Sequence, residues 1–137
     1  MILPIEEMQA VILCGGQGTR IRSVAEHKPK PMIEIGGKPI LWHIMKIYAA
    51  YGVRRFILAL GYQGGAIIDY FANYQLHHRD FTMNTRDSSA RLFHPSTDIH
   101  GNSGAEDWEI TMVHTGEDTM TGGRIRRVAQ YIHGDTF

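Results

Sequence analysis

The chain has 137 residues, 43% hydrophobic and 20% charged, enough for one folded domain with a core of its own. Its 14 basic residues balance 14 acidic ones, and a formal net charge of zero provides no field for gripping a polyanion, which argues against nucleic acid. Cys14 is the single cysteine, so an intrachain disulfide is excluded. No apolar run has the length of a membrane span, and the opening "MILPIEEMQ" lacks the basic region of a signal peptide. The expectation is a cytoplasmic protein with no membrane partner. The 8 histidines are scattered without metal-ligand spacing.

In chain order, Met8 to Leu13 reads as a buried parallel strand, broken by Gly15 and Gly16. Pro39 suits the first turn of a helix, where a missing N–H costs nothing. Leu41, Ile44, Met45 and Tyr48 then repeat at helical spacing, and Gly52 is a fitting stop. "RFILAL", Arg55 to Leu60, is a second buried strand closed by Gly61. A helix is predicted from about Gly65 through Ile67, Ile68, Phe71 and Gln75, followed by a short strand over Phe81 to Thr85. The stretch 84–107 is rich in Ser, Asp, Asn and Gly and reads as an irregular, exposed hairpin insertion, with a strand over Arg91 to His94. Glu109 to His114 returns to strand, "TGEDTMTGG" is a loop capped by Thr121, and Ile125, Val128, Ala129 and Ile132 mark an amphipathic helix stopped at Gly134.

Alternating strands and helices predict an α/β fold: a mostly parallel sheet between helix layers, with right-handed crossovers. We read residues 1–137 as part of one domain. A further strand is expected after the last helix, so the sheet is read as truncated at its C-terminal side. Its edge would then be open to another chain.

In such sheets ligands bind beyond the carboxyl ends of the strands, which draws attention to "CGGQGTR". Gly15, Gly16 and Gly18 let a phosphate approach backbone N–H groups, Thr19 adds a hydroxyl, and Arg20 adds a planar fork suited to phosphate oxygens. The dinucleotide fingerprint fails, because Ile21 stands where its third glycine belongs. The Walker pattern fails as well, since no Gly-Lys-Ser/Thr closes the loop. Pro29 and Pro31 hold the following segment extended around Lys30. The bland alternative is a strand-to-helix turn with a solvated arginine. The combination of glycines, Thr19, Arg20 and a proline-fixed Lys30 favours a long loop draped around a triphosphate.

"GGQGTR", "KPKPM" and "GGKPILWHIM" resemble the signature of the sugar-phosphate nucleotidyltransferases, whose fold is a Rossmann-like three-layer α/β/α sandwich. "GYQGGAIIDYFANYQLH" and "TGEDTMTGGRIRRVAQYI" resemble the N-terminal half of the glucose-1-phosphate cytidylyltransferase branch. That resemblance implies transfer of a cytidylyl group from CTP to glucose 1-phosphate, giving CDP-glucose and pyrophosphate for surface polysaccharide such as lipopolysaccharide O-antigen. It implies catalytic roles for Arg20 and Lys30. It also implies nucleotide contacts from Leu13, Gly15, Gly16, Gly18, Thr19, Thr119, Gly122, Gly123 and Arg124. Magnesium is implied as cofactor, with its carboxylate ligands beyond this chain and no metal ligand within it. A homo-oligomer is a candidate assembly. The other readings are a relative using UTP, dTTP or mannose 1-phosphate, a non-catalytic nucleotide-binding or assembly module, or a fragment with no independent role. Two substitutions depart from the pattern: Cys14 where alanine is common, and His114 where the branch carries aspartate. Trp42, His43, Tyr62, Asp69, Glu106, Asp107 and Glu109 are weaker candidates, expected to pack or to face water.

Overall fold

The computed structural model describes residues 3–15, 28–95, 106–117 and 119–137. The chain divides into two compact units, Met1–Ile68 with Trp108–Phe137, and Asp69–Asp107. In chain order the elements are β1 (Gln9–Leu13), a 3₁₀ turn (Lys30–Met32), β2 (Glu34–Ile35), β3 (Lys38–Pro39) and α1 (Ile40–Ala50). β4 (Arg55–Leu60), α2 (Gly64–Ala72), α3 (Tyr74–His78), β5 (Phe81–Asn84) and β6 (Asp87–Phe93) follow. β7 (Glu109–His114), α4 (Thr121–Val128) and a closing 3₁₀ turn (Ala129–Tyr131) complete the chain.

The first unit is built on a parallel sheet in the order β1-β4-β7. Register runs from Gln9↔Arg55 to Leu13↔Ala59 on one side and from Arg55↔Glu109 to Leu60↔His114 on the other. The most apolar strand takes the centre, because only there are both edges and both faces covered. Phe56, Ile57, Leu58, Ala59 and Leu60 are all buried, and burying a large apolar side chain contributes about 1.5–3 kcal/mol. The pleat sends alternate residues to opposite faces. Val11, Ile57, Ala59 and Val113 meet Val128 of α4 and Ile132 on one face. On the other, Phe56 meets Trp108 at 5.5 Å between ring centroids, and Trp108 meets Trp42 of α1 at 6.2 Å. Helices therefore cover both faces, and the α/β/α layering read from the sequence is the observed one.

Local chemistry sets the ends of the elements. Pro39 occupies the cap position before α1 rather than its first turn. At the other end Gly52, at φ +105°, donates to Ala49 O, and Val53 donates to Tyr48 O (3.0 and 3.2 Å), a Schellman closure that requires the left-handed region. Leu41 and Met45 are the fully buried residues of α1. Tyr48, placed on the same face by its spacing, is 48% exposed. β1 is not enclosed as expected. Among the described residues it is an edge strand, and Leu13 is 41% exposed. Met120, not Thr121, holds the cap position of α4, and no side chain caps it.

In the second unit, β5 and β6 form an antiparallel hairpin with Phe81 opposite Phe93 and a register shift at Met83/Asn84. The strand predicted over Arg91 to His94 thus begins earlier, at Asp87. The helix predicted to run on to Gln75 is two helices separated at Asn73. Asn73 donates its side-chain amide back to Asp69 O at 2.9 Å, a local bond that competes with helical continuation.

Cys14 continues the β1–β4 ladder by donating its N–H to Ala59 O at 2.9 Å, and its side chain is 1% exposed. Burial pushes the thiol up from 9.0 to about 12. Because the folded value lies above the unfolded one, this contribution to stability is complete below pH 9.0 and is lost as pH rises toward about 12. Iodoacetamide at mildly alkaline pH should leave the folded chain unlabelled and modify it fully in urea. Rapid native labelling would contradict the burial.

Candidate functional site

The carboxyl ends of β1, β4 and β7 lie side by side, and a glycine follows closely on each: Gly15, Gly61 and Gly116. Arg124, in the second turn of α4, reaches back across all three. Its side chain is 6% exposed. Nη1 donates to Thr115 Oγ1 at 2.7 Å, and Nη2 donates to Gly15 O and to Glu117 O, both at 3.2 Å. Thr115, fully buried, donates its own hydroxyl to Leu60 O at 2.7 Å. Arg127 Nη1 donates to Thr115 O at 2.7 Å.

Glycine is needed at these strand ends because the guanidinium and the backbone fill the space a side chain would take. A Cβ on Gly15 would overlap the Arg124 guanidinium. A Cβ on Gly61 would lie 2.8 Å from Gly15 Cα and 2.9 Å from Gly116 O. Thr119 packs into the turn at equally close range: its Oγ1 stands 2.8 Å from a Cβ on Gly116, and its Cγ2 2.8 Å from one on Gly123. The described partners of Arg124 are a hydroxyl and two carbonyls. Among the described residues these dipoles solvate its charge, and a buried guanidinium at the strand ends favours an anion nearby. The start of α4 adds its unpaired N–H groups to that field.

The residues proposed from sequence fall into three sets. Gly15, Thr119, Gly123 and Arg124 come together in this cluster, and Gly122 stands at the exposed start of α4 with open space around it. Leu13 and Lys30 do not join it by any described contact. Leu13 lines an apolar groove beside β1, and Lys30 is exposed on the 3₁₀ turn. Gly16, Gly18, Thr19 and Arg20 lie outside the described residues. Lys28 pairs with Glu34 at 3.7 Å, with both side chains half exposed.

Sequence reading missed Thr115, Arg127 and Gln63. Gln63, in the turn after β4, is the one non-glycine residue with positive φ, +54°, among the described residues, and its Oε1 is buried without a described partner. No periodicity or motif signals such a residue. Two of the weaker candidates are occupied elsewhere: His43 donates from Nε2 to Ile35 O at 2.7 Å, and Glu109 pairs across the sheet with Arg55 at 3.4 Å. Among the described residues no three His, Cys, Asp or Glu side chains converge to hold a metal ion.

A family model described as nucleotidyl transferase matches residues 9–83, more than half of the chain. The chain belongs to the nucleotidyl transferase family. It is 48% identical over 128 residues to glucose-1-phosphate cytidylyltransferase of Salmonella typhimurium, covering 93% of this chain and 47% of the relative. It is 47% identical to the probable glucose-1-phosphate cytidylyltransferase of Bacillus subtilis, covering 95% and 48%. The chain spans about half the length of these curated relatives. Among solved structures, HddC from Yersinia pseudotuberculosis complexed with GMP-PN is similar at a TM-score of 0.61 and 29% identity, over 93% of this chain and 44% of that one. A UTP-bound UGPase from Acinetobacter baumannii, 16% identical with a TM-score of 0.66 over 95% and 43%, shares the fold. Among the described residues, no helix is long and apolar enough to cross a membrane.

Proposed function

We propose that this chain is the nucleotide-binding part of an enzyme that transfers a cytidylyl group from CTP to glucose 1-phosphate, releasing pyrophosphate. The observation that carries the reading is the 48% identity to a glucose-1-phosphate cytidylyltransferase over nearly the whole chain. A sugar-phosphate oxygen would attack the α-phosphorus in line, and pyrophosphate would leave with the β–γ unit. The protein's task is to hold two mutually repelling anions in line and to offset charge on the phosphorus. Gly15, with Gly16, Gly18 and Thr19, would present N–H and hydroxyl donors to the triphosphate. Arg20 would hold the leaving pyrophosphate, and Lys30 would contact oxygens near the reacting centre. Arg124 would anchor the start of this segment through its bond to Gly15 O and add a buried positive charge at the strand ends. Thr119, Gly122 and Gly123 would meet the base and ribose.

Calorimetric titration with CTP, UTP and dTTP tests the nucleotide, and CTP is expected to bind tightest. A tighter UTP or dTTP complex would move the assignment to another base. Gly122→Ala separates fold from binding. The position is open, and alanine in a helix gains up to about 1 kcal/mol over glycine. We expect equal or greater stability to urea together with weaker CTP binding. Unchanged affinity would remove Gly122 from the site.

A further inference from the structure

Two arginines of α4 grip the turn that follows β7, and they differ in burial. Arg124 holds it from within: 6% exposed, it donates to Thr115 Oγ1 and to Glu117 O. Arg127, three residues on and so a neighbour on the helix surface, is exposed. Its side chain leans back toward the start of α4, the direction helical side chains take, and Nη1 donates to Thr115 O at 2.7 Å. A guanidinium bond to a carbonyl is charge-assisted and stronger than one between neutral groups. The backbone of Thr115 is thereby held at both ends, since its N–H donates to Leu60 O at 2.8 Å. Among the described residues no carboxylate pairs with Arg127, so its geometry is set by the turn and not by a surface ion pair.

The next residue redirects the chain. Gly116 stands at φ +90°, and the place its side chain would take is occupied by two other groups. Arg127 Nη1 lies 3.1 Å, and Thr119 Oγ1 2.8 Å, from where a Cβ on Gly116 would stand. The guanidinium and the Thr119 hydroxyl therefore crowd the same point of the turn. Glycine has more conformational freedom to lose than any other residue, so a turn built on Gly116 needs restraint from outside to keep Thr119 in one position. Arg124 supplies part of that restraint but also ties the strand ends together, and its removal damages the fold. Arg127 touches the turn from the solvent side, where its contribution is separable from the core.

We propose that Arg127 is a positioning residue for nucleotide recognition: by holding Thr115 O it fixes the turn around Gly116 and so presents Thr119 to the base and ribose. The inference rests on the reading that Thr119 meets the nucleotide. The test compares the unsubstituted chain with Arg127→Ala and Arg127→Lys in calorimetric titrations with CTP and with inorganic tripolyphosphate, which carries the anion without base or ribose. Arg127→Ala should bind CTP about tenfold more weakly, the loss of one charge-assisted bond, and should bind tripolyphosphate as before. Arg127→Lys should recover most of the CTP affinity, because a single carbonyl is within the means of an ammonium. In the ligand-free chain, the amide resonances of Gly116 and Thr119 should move in the alanine variant and return toward their original positions in the lysine variant. Equal weakening toward CTP and tripolyphosphate overturns the assignment, since Arg127 then contacts the anion itself. Unchanged CTP affinity, or unmoved Gly116 and Thr119 resonances, overturns it as well. Failure of the functional reading shows separately, as tighter binding of UTP or dTTP by the unsubstituted chain. The comparison then runs with that nucleotide, and the resonances require none.

Discussion

Replacing Arg124 by alanine is expected to lower the free energy of unfolding by about 3 kcal/mol and to weaken CTP binding in the fraction that remains folded. The guanidinium is nearly inaccessible and supplies donors to Thr115 Oγ1, Gly15 O and Glu117 O. Truncation leaves those acceptors short of partners and opens a void that Gly15 and Gly61, having no side chains, do nothing to fill. Relief of the buried charge's desolvation works in the opposite direction. The void and the stranded acceptors outweigh it, because they lie where three strands converge. Arg124→Lys should recover only part of the loss, since one ammonium on a flexible stem cannot address three separated oxygens at once. Urea denaturation reads the stability, and titration with CTP below the unfolding transition reads the site. An unchanged urea midpoint for the alanine variant would show that the guanidinium is not what joins the strand ends.

Gly61→Ala should be about as damaging, near 3 kcal/mol, at the upper end of what overpacking ordinarily costs. The new Cβ would stand 2.8 Å from Gly15 Cα and 2.9 Å from Gly116 O. Both are main-chain atoms, so no rotamer change relieves the contact, and β1 and β7 would have to move relative to β4. Gly65→Ala is the matched control: it lies in α2, nothing stands within 4 Å of its added Cβ, and it should be neutral or stabilising by up to about 1 kcal/mol. Equal melting temperatures for the two variants would refute the close approach at Gly61.

Elements governed by short-range chemistry were legible with good accuracy. "RFILAL" and "EITMVH" are strands over the predicted residues, because an apolar β-branched or aromatic run bounded by glycine or polar residues has few other uses. Gly52 ends α1 as expected, since the left-handed closure selects glycine. Errors cluster where a weak local preference meets a competing one. Asn73 divides the predicted helix by bonding back to Asp69, and Met120 takes the cap position expected for Thr121. "MQAVIL", Met8 to Leu13, reads as a buried strand, yet among the described residues β1 is an edge, because apolar content records what a strand is able to bury and not which strands flank it.

The candidate site divides along the same line. A glycine-rich turn after the first strand, and its suitability for an anion, follow from residue types within one short stretch. The family resemblance follows from a few such stretches. The meeting of Gly15 with Arg124, 109 residues away, does not. It exists because parallel pairing in one register sets Leu13, Ala59 and Val113 abreast, so that the three chains turn at the same level and one helix can reach across them. Hydrophobic periodicity and turn chemistry act over a few residues, and one sequence could state them alone. Strand order and register are settled only when distant segments compete for the same surfaces. That competition is decided by packing in three dimensions.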